Sequence, residues 1–132
     1  MAVHFKNEED KELIWQVHPI LLSIFLDLAN YAMVKHGIEL TVTATVSTPE
    51  KDAILGRKSK AHQRKIAIDI RTKNLPHAVK HDLAKYVNNK KEYEKYRYES
   101  FSGIKRLAYI HVGSAEHLHL ALHSRYADFT KN

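Results

Sequence analysis

The sequence predicts an α+β domain in which N-terminal helices pack on a small, mostly antiparallel sheet. Three observations predict it. Ile20, Leu21, Ile24, Phe25, Leu28, Tyr31 and Ala32 recur at the spacing of one helix face. The runs with strand character are short: 38–46, 66–70, 106–112 and 118–122. Helices come first and the few strands are mixed with helices, which is the α+β order. A length of 132 residues corresponds to a single domain, 1–132.

The elements follow in order along the chain. Asn7 stands where it can cap a short helix over 8–16, and Glu8, Glu9 and Asp10 complement the dipole of its first turn. Pro19 suits the first turn of the second helix, and Gly37 its C-terminal stop. Residues 38–46, IELTVTATV, alternate β-branched residues and read as a strand. Residues 47–65 form a long polar segment with Pro49, Gly56 and a basic cluster, and read as a loop. Residues 66–70, IAIDI, are a short buried strand that carries one acid, Asp69. Pro76 opens a helical region to about Glu99, with an interruption at Asn88 and Asn89. Ser102 and Gly103 make a turn, 106–112 a strand, Gly113 and Ser114 a second turn, and 118–122 the last strand. There is no internal repeat.

Composition bounds the function. The chain holds 21 Lys and Arg against 15 Asp and Glu, for a net charge of +6. An anionic partner follows: nucleic acid, a cell-wall polymer or an acidic membrane surface. No cysteine is present, which excludes disulfide scaffolds, thiolate zinc fingers and cysteine nucleophiles. Histidine occurs ten times, so a transition-metal site must be built from His and carboxylates. The N-terminus lacks a basic segment followed by an apolar one, so no signal peptide is expected and the chain is expected in the cytoplasm. The most apolar stretch, 19–34, is broken by Asp27 and Asn30 and is too short to span a bilayer.

Four groups of residues carry candidate chemistry. Arg57, Lys58, Lys60, Arg64 and Lys65 read either as a solvated loop or as an anion-recognition patch. No RNA-binding or helix-turn-helix pattern accompanies them, so no specific nucleic-acid partner is expected. His77 and His81 lie four apart on a predicted helix and share a face, but Ala78 stands where a metalloprotease helix needs Glu. Asp69 sits in an apolar strand, where a charge must be paired or coordinated; a neighbouring arginine such as Arg71 is one partner, a metal another. His62 lies seven residues earlier, about 23 Å away if the chain were extended, so the two meet only if 61–65 bends back. Finally, His117 and His119 point to one face of a strand, with Glu116 just before them. A catalytic zinc takes three protein ligands and one open position.

The segment Ser59-Lys60-Ala61-His62-Gln63-Arg64-Lys65-Ile66-Ala67-Ile68-Asp69 resembles the S-x-H-x-x-G-x-A-x-D segment of the zinc D-Ala-D-Ala metallopeptidases, and Glu116-x-x-His119 resembles their closing E/D-x-x-H. These enzymes are related to lysostaphin-type peptidases and to the hedgehog N-domain fold, and include phage endolysins that cut L-alanyl-D-glutamate bonds. The likeness spans roughly residues 14–123. It implies a zinc cofactor on His62, Asp69 and His119, and Glu116 as the general base. Relatives with a His-x-His ending make His117 the alternative helper. The implied partner is peptidoglycan and the implied enzyme a monomeric zinc peptidase, cytoplasmic until released to the cell wall or carried in a virion. The chain departs from the pattern at Lys65, where the family has Gly, and at Ser59, one residue farther from His62 than usual. Ser47 stands where an Arg commonly holds the substrate carboxylate, and Arg57 is its candidate substitute. Two other readings stay open: a catalytically inactive structural or binding protein on the same fold, and a basic nucleic-acid protein using Asp69 and Glu116.

Overall fold

A computed structural model describes residues 3–112 and 115–129. In chain order the elements are β1 (His4–Phe5), α1 (Glu8–Leu13), α2 (Pro19–His36), β2 (Thr41–Ala44), α3 (Pro49–Leu55), β3 (Ala67–Arg71), α4 (His77–Asn89), β4 (Tyr98–Glu99), β5 (Lys105–Arg106), β6 (Ala108–His111) and β7 (His117–Ala121). Five strands form one sheet in the order β1-β2-β3-β7-β6, and β4 and β5 make a separate hairpin. Among the described residues only β1 and β2 run parallel; the other pairs are antiparallel. The α+β class and the mostly antiparallel sheet are as expected.

The long helix α2 begins on Pro19, with His18 accepting the Ile20 N–H through Nδ1 at 3.0 Å. It stops at Gly37, whose φ of 64° is the left-handed conformation that glycine tolerates best. Its buried face is Leu21, Ile24, Phe25, Leu28, Ala29 and Ala32. Ile20 and Tyr31, expected with them, lie at the margin and are only partly buried. Among the described residues no helix is long and apolar enough to cross a membrane.

Several boundaries differ from expectation, each for a local reason. Residues 47–65 are not all loop. Thr48 accepts the Lys51 N–H, Pro49 opens the first turn of α3, and Gly56 closes it at φ 69°. The helical region from Pro76 ends at Asn89, and a 3-10 turn, Lys91–Tyr96, leads into the hairpin. Asn88 cannot simply continue a helix surface: its side chain binds the Leu107 and Ala108 N–H groups and the Ala108 carbonyl. Strand β1 was not expected. Asn7 has the extended backbone of a cap but makes no capping hydrogen bond. The turn expected at Gly113 and Ser114 lies outside the described residues.

Strand periodicity divides the sheet into two faces. Ile68, Ile70, Leu118, Leu120 and Ala108 are buried in the core cluster with α2 and α4. The alternate positions place Asp69 opposite His119, Arg71 opposite His117, and Tyr109 and His111 opposite His119 and His117. That second face is polar and carries most of the candidate chemistry.

Asp27 of α2 fastens the helical layer. Its carboxylate accepts Tyr86 Oη at 2.8 Å, Lys90 Nζ at 2.7 Å and the Tyr93 hydroxyl. Burial alone would raise this carboxyl, but the hydrogen bonds from Lys90, Tyr93 and Tyr86 hold it below its ordinary value. A lowered folded-state pKa means that the stabilisation is complete above the unfolded carboxylate value and fades as pH falls through the folded one. Asp27→Asn is therefore expected to cost about 1–3 kcal/mol at pH 7. In denaturant titrations the difference from the native chain should hold down to about pH 5 and shrink below about pH 4.

Candidate metal centre

The site starts from a turn. The Ile66 N–H bonds the Ala61 carbonyl at 3.1 Å, and the Lys65 N–H bonds the His62 carbonyl at 3.2 Å. This is the pair of bonds of a Schellman closure, with Lys65 at the left-handed position, φ 64°. The bend required over 61–65 is thus present, and a lysine occupies the position where the family pattern has glycine. It folds His62 back onto β3, so that His62 Nε2 lies 3.1 Å from Asp69 Oδ2.

His119 reaches the same carboxylate from the adjacent strand. Asp69 and His119 are direct partners across the β3–β7 ladder, and His119 Nδ1 lies 2.8 Å from Asp69 Oδ1. One ligand atom from each of His62, Asp69 and His119 lies within 4.8 Å of the others. His62 and Asp69 are buried and His119 nearly so. This group can hold a metal ion.

The donor chemistry fits a cation. His62 Nδ1 contacts the Thr45 carbonyl at 2.6 Å, a contact that makes Nδ1–H the donor and leaves a lone pair on Nε2. His62 Nε2 is fully enclosed and has no hydrogen-bond partner. A lone pair facing a carboxylate oxygen in the protein interior is repulsive unless a positive charge stands between them. Burial would raise the Asp69 carboxyl, but the hydrogen bond from His119 is the leading cause that holds it far below the ordinary carboxylate range. Asp69 is thereby ionised, as a metal ligand must be.

Two further layers hold these ligands. Asp10, expected only to complement the α1 dipole, is buried and accepts both the Thr45 N–H at 3.0 Å and the Thr45 Oγ at 2.6 Å. The register of β2 on β3 shifts between Val42 and Ala44, and Thr45 follows directly. Asp10 thus fixes the residue whose carbonyl orients His62. On the other side Arg57 lies 3.7 Å from Asp69 Oδ2 and 3.1 Å from Asp52 Oδ1. Asp52 also accepts Ser47 Oγ at 2.6 Å and Gln63 Nε2 at 2.7 Å. Burial pushes the Asp52 carboxyl up, but Ser47, Gln63 and Arg57 outweigh it and leave it lowered.

The other candidate residues have partners of their own. Arg57 and Ser47, expected to meet substrate, both bond Asp52, and Arg57 also lies beside Asp69. Arg71 is not the partner of Asp69. Glu116, expected as a base and not as a ligand, is not in the metal-holding group: its Oε1 accepts Lys80 Nζ at 2.6 Å, and that bond lowers its pKa. The side chain that does reach Asp69 is His117, with Nε2 3.5 Å from Oδ2. His117 Nδ1 is 2.9 Å from the Ala115 carbonyl, which again makes Nδ1–H the donor and leaves Nε2 basic. His77 and His81 contact each other at the exposed start of α4, with ring centroids 4.2 Å apart, and do not join the group. Sequence reasoning missed Thr45, Asp10 and Tyr109, whose ring lies 5.3 Å from that of His119. No spacing signal marks Thr45 or Asp10, since both act through a strand register.

Two measurements probe this support. A non-glycine residue in the left-handed region is strained by roughly 1–2 kcal/mol, partly offset by the greater unfolded entropy of glycine. Lys65→Gly is expected to stabilise the fold by up to about 1 kcal/mol in urea titrations, while Lys65→Val destabilises it. Asp10→Asn should weaken metal affinity by about 10–100-fold, the usual effect of removing a supporting contact, as read by competition with a chelating dye.

No family model matches the chain, and neither a curated protein nor a solved structure matches it.

Proposed function

We propose that the protein is a zinc-dependent peptidase that cleaves within peptidoglycan stem peptides. The observation that carries this reading is the buried His62, Asp69 and His119 group with the basic His117 Nε2 beside it. Two imidazoles and one carboxylate are the donor set of a catalytic zinc, with a coordination position left for chemistry. Bound there, zinc supplies a Lewis acid for the scissile carbonyl. His117 is the group suited to take a proton from the attacking water and pass it to the leaving amine. Its Nδ1 contact to Ala115 orients the ring, with Nε2 towards the site. A net charge of +6 favours an anionic wall polymer. No terminal-carboxylate clamp stands at Ser47, and Arg57 is occupied, which suits cleavage inside a peptide better than trimming of its end. The cell wall would be reached after release from the cytoplasm or on a virion.

A second reading, a metal-holding protein without hydrolysis, is favoured by the Lys80 bond that occupies the family's expected base, Glu116.

His62→Ala, Asp69→Ala and His119→Ala are each expected to abolish stoichiometric zinc in elemental analysis and to lower stability, because metal binding is coupled to folding. His117→Ala should keep its zinc and lose about 10²–10⁴-fold in wall hydrolysis, while Glu116→Gln keeps most activity. Mass spectrometry of digested wall fragments is the assay, beside free D-Ala-D-Ala. New amino groups in the wall with a slow dipeptide reaction are expected. Fast dipeptide cleavage with intact wall would sink the endopeptidase assignment, and zinc without any hydrolysis would select the second reading.

A further inference from the structure

Along the outer strand β6, between α4 and the β4–β5 hairpin, runs a groove of about 560 Å³. Lys85, Arg97, Lys105 and Arg106 line it, and no carboxylate does. Nε of Arg97 and Nε of Arg106 are enclosed without a hydrogen-bond partner. Among the described residues neither arginine pairs with an acid. A groove lined by four cations and no acid favours an anionic ligand, and a guanidinium fork matches a carboxylate in two parallel hydrogen bonds.

The groove adjoins the metal centre. The Arg106 guanidinium lies over the Tyr109 ring at 4.3 Å, and that ring is 5.3 Å from the His119 ring. A ligand on Arg106 is therefore within roughly three residues of extended peptide from His119. The groove also follows a sheet edge. β6 is the terminal strand, and the Asn88 side chain already mimics a strand partner on Ala108. Backbone groups alternate sides in an antiparallel ladder, so the N–H and C=O of Ile110, which also lines the groove, face outward as those of Ala108 do.

We propose that this groove docks an extended acidic peptide, which adds along β6 and places a side-chain or terminal carboxylate on Arg97 and Arg106. The proposal rests on the peptidase reading, in which the groove holds the acidic flank of the stem peptide whose bond is cut beside His117. Edge pairing favours a peptide over a phosphate polymer, while the guanidinium fork accepts a carboxylate as readily as a phosphate.

The test is an NMR titration of the full-length ¹⁵N-labelled protein with two synthetic hexapeptides, identical except for two Glu in one and two Gln in the other. The Glu peptide is expected to shift the Arg97 and Arg106 Nε–H signals and the Ile110 amide, and to bind at least about tenfold more tightly than its Gln twin. Arg106→Gln should erase that preference, and Arg106→Lys, which keeps charge but not the fork, should retain only part of it. Equal affinity for the two peptides overturns the proposal without any variant. So does an unchanged preference in Arg106→Gln, or larger shifts with inorganic phosphate than with the Glu peptide at equal concentration. Metal-free and zinc-loaded protein should bind the Glu peptide alike. Binding without hydrolysis removes the peptidase reading alone; hydrolysis without binding removes the groove alone.

Discussion

A carboxylate enclosed in a sheet is tolerated only when its charge is answered locally, and Asp69 sets that requirement for this molecule. Desolvation of an unpaired ionised group costs several kcal/mol or more. Here Arg57 and the Nδ1 contact of His119 answer it, with the His62 and His117 rings beside them, and the four are drawn from separate parts of the chain. None of these is local to β3. The ladder with β7 brings two of them, the 61–65 turn brings the third, and α3 with the segment after it brings the fourth. The fold of the polar face is in this sense organised around one charge.

The support is layered, and each layer satisfies the one inside it. Thr45 offers its carbonyl to His62 and its N–H and hydroxyl to Asp10, so one residue links α1 to the innermost histidine. Asp52 performs the same service on the other side. It accepts from Ser47, Gln63 and Arg57, and Arg57 turns to Asp69. Acid and base alternate outward from Asp69 to Arg57 to Asp52, so no buried charge in this chain of contacts stands beside a like one. A polar network of this kind is stabilising only when its members are satisfied. The conspicuous exception is His62 Nε2, and it points at the place where an ion would complete the set.

Much of this was legible in the sequence, and what was not has a physical reason. The α2 helix and the strands β3 and β7 followed from periodicity, and the oddity of an acid in IAIDI marked Asp69; the choice of His119 as its partner came from the family resemblance. Distance alone showed that His62 could meet Asp69 only if 61–65 bends back. The helix α3 carries its own signals in Thr48, Pro49 and Gly56, but its seven residues are too few for an amphipathic period to show. Strand β1 is two residues long and exists only because β2 offers an edge. The roles of Asp10 and Thr45 depend on a register shift in the β2–β3 ladder, and no one-dimensional pattern encodes that.

The fate of Glu116 comes down to parity. In a strand, positions two apart share a face and positions three apart do not. His117 and His119 are two apart, and β7 begins at His117, so both rings stand on the face of Asp69. Glu116 is three before His119. It can join them only through a kink, and without one it falls toward the helical side of the sheet, where Lys80 of α4 takes it up. That ion pair then deepens the separation, since a carboxylate held below its ordinary pKa is a poorer proton acceptor. His117, in the His-x-His arrangement, lies on the right face without a kink. The four-residue stretch that resembles a Glu-x-x-His ending therefore presents, by strand geometry, a His-x-His pair to Asp69.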